Sequence, residues 1–168
     1  MRRRVRSVVL GVSLSICLLL VAVVNVSGEE YEALSGLESV KSVFDFRAGN
    51  PKSAALQLKL IQQTLKDRNI AAMTKKPAFV VVFMGPAVKL VSTGREGFSP
   101  EEHEILDEIA GTISGMSKDG IKLEICLFAA DLFGVDSASV LPEIEHVANG
   151  WISLIGYQTG GYSLVAAY

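Results

Sequence analysis

The chain is poor in the residues that build covalent or metal-held frameworks. Its 168 residues include two cysteines, Cys17 and Cys126, and two histidines, His103 and His146. No Cys-x-x-Cys pair is present, which excludes a self-contained dithiol oxidoreductase, and the scattered His and Cys positions form no zinc pattern. His103 and Asp107 stand one helical turn apart beside Glu102 and Glu104, an arrangement that reads as a solvated helix face, so neither a metal nor another cofactor is expected. A basic surplus is missing as well: 16 Lys and Arg face 18 Asp and Glu, which argues against nucleic acid as a partner. Neither Gly94-x-x-Gly97 nor the Gly156 to Gly161 segment matches a phosphate-binding fingerprint, so nucleotide binding is unsupported.

What is present begins with a leader. Residues 1–28 run from a basic head (Arg2, Arg3, Arg4, Arg6) through an uncharged apolar stretch, Val8 to Val24, to small and polar residues, the order of a secretory signal. Cleavage after Gly28 would put Val26 and Gly28 at the processing positions. The expected destination is periplasmic or secreted, by a Sec-type route. The alternative is an uncleaved anchor facing outward, the one way this chain would meet a membrane, because 17 residues lie at the lower edge of a spanning helix. Ile16 is too bulky for the Leu14-Ser15-Ile16-Cys17 stretch to be a lipoprotein site. All 18 acidic residues follow position 28 and four basic ones precede it, so the remainder carries 12 basic against 18 acidic residues, a net of −6. It also holds a single thiol, Cys126, which excludes an internal disulfide.

After an acidic linker over 29–39, one domain over 40–168 is expected. Alternation from Val40 to Phe46 predicts a strand. Asn50 as N-cap, Pro51 at the first helical position, and Ala54, Leu58, Ile61 and Leu65 on one face predict a helix. Ala78 to Met84 is an unbroken apolar run, the pattern of a strand buried on both faces. Ala87 to Ser92 reads as a short helical turn. Ser99, Pro100 and Glu102 make a complete helix start, followed by Ile105, Leu106, Ile109, Ala110, Ile113 and Met116 on one face. Ile121 to Leu127 is the next strand, with Ile121, Leu123, Ile125 and Leu127 on one side. A short helix over Ala129 to Phe133 and a weakly helical stretch from Val140 to Val147 follow. Trp151 to Ile155 and Tyr162 to Ala166 read as two last strands joined across Gly160-Gly161. Trp151, Tyr157 and Tyr162 read first as apolar strand residues and second as a subunit interface. Strands alternating with helices imply a parallel or mixed sheet covered on both faces.

In such sheets reactive groups gather beyond the carboxyl ends of the strands. Two positions qualify, the Gly85-Pro86 corner and Cys126. An isolated cysteine is more often packed than used. Its place at a strand end just before a short helix gives the other reading, a nucleophilic or sulfur-carrying thiolate stabilised by helix N-terminal N–H groups. His146 would serve as its base, or as the partner of the thiolate, if the fold brings the two together.

The stretches Ile121-Lys122-Leu123-Glu124-Ile125-Cys126-Leu127-Phe128-Ala129-Ala130, Gly134-Val135, Val147-Ala148-Asn149-Gly150-Trp151 and Gly160-Gly161-Tyr162, with Gly85-Pro86-Ala87-Val88, resemble the DsrE/DsrF/TusD family of small sulfur-relay proteins. The resemblance covers residues 40–168 and is strongest around Cys126. It implies a single three-layer α/β domain with a central, mostly parallel five-stranded sheet and helices on both faces. It also implies a trimer or hexamer of identical chains, a persulfide carried on Cys126, and donor and acceptor proteins for the sulfur. Relatives of this kind work in the cytoplasm, whereas this chain carries an export-type leader, which argues against a role in tRNA thiolation. The competing reading is a non-catalytic, homo-oligomeric binding or assembly module. In it Cys126 is structural and the Gly85-Pro86 corner forms a small-molecule or partner pocket. A third, a membrane-tethered subunit of a redox complex, requires the leader to stay attached.

Overall fold

The computed structural model describes residues 31–168, so the leader, its apolar run and Cys17 lie outside the described residues. A 3-10 turn at Glu32–Leu34 in the linker precedes β1 (Lys41–Phe46). There follow α1 (Pro51–Leu65), the one-turn α2 (Arg68–Ala71), β2 (Ala78–Phe83) and a 3-10 segment at Gly85–Val91. The second half comprises α3 (Pro100–Lys118), β3 (Lys122–Cys126), α4 (Leu127–Leu132), β4 (Glu145–Val147), α5 (Gly150–Thr159) and β5 (Ser163–Ala167). The five strands form one sheet in the order β4-β3-β2-β1-β5, every pairing parallel.

The helix starts are set by local chemistry. Asn50 accepts from the Ser53 N–H at 3.1 Å and Pro51 opens α1. At α3, Ser99 and Glu102 complete the reciprocal capping box, the Ser99 N–H donating to Glu102 at 2.8 Å. Both helices pack on each other and on one face of the sheet. Leu58 and Ile61 of α1 and Leu106, Ile109, Ile113 and Met116 of α3 are buried there with Phe46, Phe83, Leu123 and Ile125. That face is the main core, and its Phe46 and Phe83 rings meet edge-on at 5.3 Å. β2 is buried on both sides, as an unbroken apolar strand in the middle of a parallel sheet must be.

Among the described residues the opposite face is covered by α5, which carries the chain from the β4 edge back across β3, β2 and β1 to the β5 edge. Two expectations fail here. Trp151 to Ile155 is helix, not strand: the Asn149 side chain accepts from the Trp151 N–H at 3.0 Å and caps it. Gly150, Leu154 and Tyr157, at helical spacing, face the sheet, while Trp151, Ile152 and Ile155 point outward and are exposed. An apolar residue on nearly every side erased the helical period and imitated a buried strand. Val140 to Val147 is not helical either. Val140 bridges Ser92 in antiparallel fashion, and Glu145–Val147 forms the short edge strand β4. Pro142 denies this stretch a helix interior, and three residues are too few to show alternation. The sheet therefore has the expected five strands, with β4 in place of the misread one.

Candidate functional site

The parallel register brings the ends of three strands into line. Phe46 pairs with Phe83 and Phe83 with Ile125, so the next residues, Arg47, Met84 and Cys126, form a row at the carboxyl edge. The Met84 N–H donates to the Phe46 carbonyl at 2.9 Å, which keeps the ladder running to this row. Strand alternation puts all three on the face covered by α5. One row back on that face lie Asp45, Val82 and Glu124.

Cys126 ends β3 and is the N-cap residue of α4, yet its side chain makes no capping hydrogen bond. It is 2% exposed and is the free thiol of the described residues. The start of α5 sits directly on it. A methyl group built on Gly150 would come within 3.1 Å of the Cys126 Cβ and 3.0 Å of Met84 Cγ and Sδ, so any side chain here must push its neighbours aside. The thiol thus lies between two helix starts, one continuing its own strand and one arriving from across the sheet.

Arg47 closes the other end of the row. Its Nε donates to both oxygens of Asp45, at 2.8 and 3.0 Å, and its Nη2 lies 3.9 Å from Met84 Sδ. The Tyr168 hydroxyl reaches Asp45 at 3.4 Å. Asp45 is 5% exposed and is neutralised by this ion pair.

A second polar cluster lies deeper under α5. Glu124, 3% exposed, accepts from the Tyr157 hydroxyl at 2.5 Å and from Lys122 Nζ at 3.0 Å, and Lys122 also meets Glu145 at 3.1 Å. The other Glu124 oxygen is buried without a partner among the described residues. Desolvation first, and then the bond to Glu124, push the Tyr157 hydroxyl up to about 12. The hydrogen bond to Glu124 raises Lys122 above the ordinary lysine range, against the opposing effect of burial. These bonds pin the far end of α5 to the sheet, as Gly150 seats its near end.

The structure separates the sequence candidates. Gly85 and Pro86 follow Met84 directly and sit beside the row, Gly85 with a positive φ of 54° and the Pro86 ring packed against Gly49. His146 is not brought to Cys126. It pairs with Ile125, so its side chain leaves the opposite face of the sheet, and it is exposed. His103 lies within 3.3 Å of the Arg95 carbonyl, and Asp107 pairs with the Arg95 guanidinium at 2.7 Å, so both tie the loop before α3 to that helix. Among the described residues no three His, Cys, Asp or Glu are grouped to hold a metal ion. A cleft of about 540 Å³ opens elsewhere, between Lys89, Ser92, Phe98, Phe133, Val135 and Asp136; it reaches neither Cys126 nor the Gly85-Pro86 corner and offers no thiol or imidazole. The row at the strand ends is the better candidate on chemistry. Sequence reasoning missed Arg47, Met84, Gly150 and Glu124. The available signal was the spacing of charged residues inside apolar strands: Asp45 between two phenylalanines and Glu124 between Leu123 and Ile125.

Residues 41–167 match the model of the DsrE/DsrF-like family. The chain belongs to that family. An uncharacterised protein of Aquifex aeolicus is 25% identical over 127 residues, which are 75% of this chain and 55% of that one, so the chain spans about half the length of this curated relative. Two solved structures share the fold. A protein of unknown function from Methanobacterium thermoautotrophicum superposes with a TM-score of 0.58 at 16% identity, covering 76% of this chain and 99% of that one. A conserved protein of unknown function from Bacteroides thetaiotaomicron gives 0.52 at 19% identity, covering 75% and 93%. The five-stranded α/β architecture is thus that of the family.

Proposed function

We propose that this DsrE/DsrF-like domain carries sulfur as a persulfide on Cys126. The observation that supports this most directly is the seating of the thiol: it stands at the carboxyl end of a central strand, makes no capping bond, and lies under the first turn of α5. Helix N–H groups at both neighbouring helix starts favour negative charge on a sulfur placed there. In the loading step the Cys126 thiolate attacks the outer sulfur of a hydropersulfide, RSSH. The Sγ–S bond forms, the donor S–S bond breaks, and RS⁻ leaves. The proton of the new persulfide passes to RS⁻, so the negative charge ends on the outer sulfur. No oxidant is consumed, because the sulfur atom is handed over at constant oxidation level. Unloading is the same exchange with an acceptor thiolate, so a carrier of this kind need not be an enzyme.

The working form in this reading is a homo-oligomer, a trimer or hexamer, exported to the periplasm or beyond by its leader or held outside the membrane by it. Support for assembly comes from the apolar residues left exposed on adjoining helices, Phe128 and Leu132 on α4 and Trp151, Ile152 and Ile155 on α5. Donor and acceptor proteins for the sulfur complete the scheme.

Intact-protein mass spectrometry before and after incubation with a polysulfide tests the reading, with Cys126→Ser alongside. The expected result is a gain of one sulfur, removed by reductant and absent from the variant. The near-complete burial of Cys126 favours a second reading, a binding or assembly module in which the thiol only packs. That reading expects no sulfur gain and a thiol that alkylates only after denaturation.

A further inference from the structure

Arg47 is bound in an unusual way for a residue whose role would be to neutralise a buried carboxylate. A guanidinium paired for that purpose commonly presents two nitrogens in parallel to the two carboxylate oxygens. Here Nε alone serves both Asp45 oxygens, at 2.8 and 3.0 Å. The terminal amines Nη1 and Nη2 meet no oxygen acceptor among the described residues, and Nη2 is turned along the row to 3.9 Å from Met84 Sδ. The side chain is 32% exposed, so the free amines stand at the rim and not in the core.

The register gives the distance scale. Arg47 and Cys126 are separated by one strand, at about 4.8 Å per strand, so their Cα atoms lie about 10 Å apart on the same face. An extended arginine covers most of that span. Met84 fills the interval, touching both the Arg47 amine and the Gly150 turn that covers Cys126.

We propose that Arg47 is the cation of the Cys126 site, its terminal amines, standing on the far side of Met84, favouring negative charge on the thiolate and on the outer persulfide sulfur that extends towards them. This rests on the sulfur-carrier reading and adds to it the group that keeps a charged sulfur in place. The other charged groups on this face are Asp45, Glu124 and Glu145, one row back, Lys122, which is bound to both glutamates, and Lys41 at the far end of β1. The first turns of α4 and α5 contribute no ionisable side chain. Arg47 is therefore the cation of the row itself. Asp45 acts as its anchor: it fixes Nε and leaves the amines directed towards Met84.

The test uses the full chain with Arg47→Met, Arg47→Lys and Cys126→Ser. Two quantities are read: the pH profile of native alkylation of Cys126 by iodoacetamide, and the lifetime of the persulfide formed with polysulfide, followed by intact mass. Arg47→Met is expected to slow native alkylation across the profile and to shorten the persulfide lifetime about tenfold. Arg47→Lys should recover part of both. Should Arg47→Met fail to fold because Asp45 is left unpaired, the double variant Asp45→Asn/Arg47→Met removes both charges and is read in the same way. A wild-type profile and lifetime in the Met variant overturn the assignment and leave Arg47 a structural ion pair. A wild-type thiol that alkylates natively but never gains sulfur overturns the carrier reading, while the profile comparison still decides Arg47. A thiol inert to both reagents overturns both.

Discussion

At the scale of single residues, Gly150 matters for what it lacks. Its hydrogen lets the first turn of α5 rest on Cys126 and Met84; a methyl group would press on Met84, which can swing aside, and on a Cys126 Cβ fixed by the strand, which cannot. Gly150→Ala is expected to lift this turn away from the thiol. The measurable outcome is faster native alkylation of Cys126 than in wild type, and a rate unchanged by the substitution would mean that the turn does not control access. Glu124 shows a different economy. A carboxylate at 3% exposure with one oxygen unpaired is costly to keep, and the Tyr157 and Lys122 bonds offset that cost only while α5 stays down.

Among the elements, α1 and α3 were readable because their signals are local. Asn50 with Pro51, and Ser99 with Pro100 and Glu102, announce a helix start within four residues, and the polar faces of both helices leave the apolar period visible. α5 was not readable, because its outer face carries Trp151, Ile152 and Ile155 where a solvated helix would be polar. That one misreading hid the partner of Glu124, since only a helix lying across the sheet brings Tyr157 onto it. Of the candidate site, Cys126 and the neighbouring Gly85-Pro86 corner were legible from strand ends; Arg47 and Met84 required the register, which no local pattern encodes. The outer face of α5 also makes its own prediction. If it is a subunit contact, Ile155→Glu places a charge in that contact without touching the core, and the assembly should fall to monomers in light scattering. A wild-type protein that is already monomeric at micromolar concentration would remove the basis for assembly.

For the whole molecule, the bonds beneath α5 set an alkaline limit. The Tyr157 hydroxyl has a higher proton affinity folded than unfolded, about 12 against the ordinary 10.0, and Lys122 is shifted in the same direction. The folded state therefore holds more protons than the unfolded one at high pH, and stability falls as pH rises. The Tyr157 contribution is complete below about pH 10 and is lost between about 10 and 12. Denaturant unfolding at several pH values should show this decline. Tyr157→Phe should be less stable at pH 7 by about 1–3 kcal/mol, having removed one of the two donors to the buried Glu124 Oε1, and should lose less than wild type on the way to pH 12. Equal slopes for the two proteins would mean that the hydroxyl titrates alike in both states.

The place of β5 has a consequence for the order in which the protein is made. Ser42 pairs with Ser163 and Phe46 with Ala167, and the Arg47 N–H donates to the Ala167 carbonyl at 2.8 Å, so one flank of the first strand is closed by the last. During synthesis that flank stays open until some 120 residues more have been added, on the order of ten seconds at ribosomal speed. Through that interval β1 is a bare sheet edge, and the Asp45–Arg47 pair lacks the Tyr168 hydroxyl that bounds it in the finished fold. The sheet is thus completed at its edge by β5, and a nascent chain has no finished reactive edge until the residues through Tyr168 have been made.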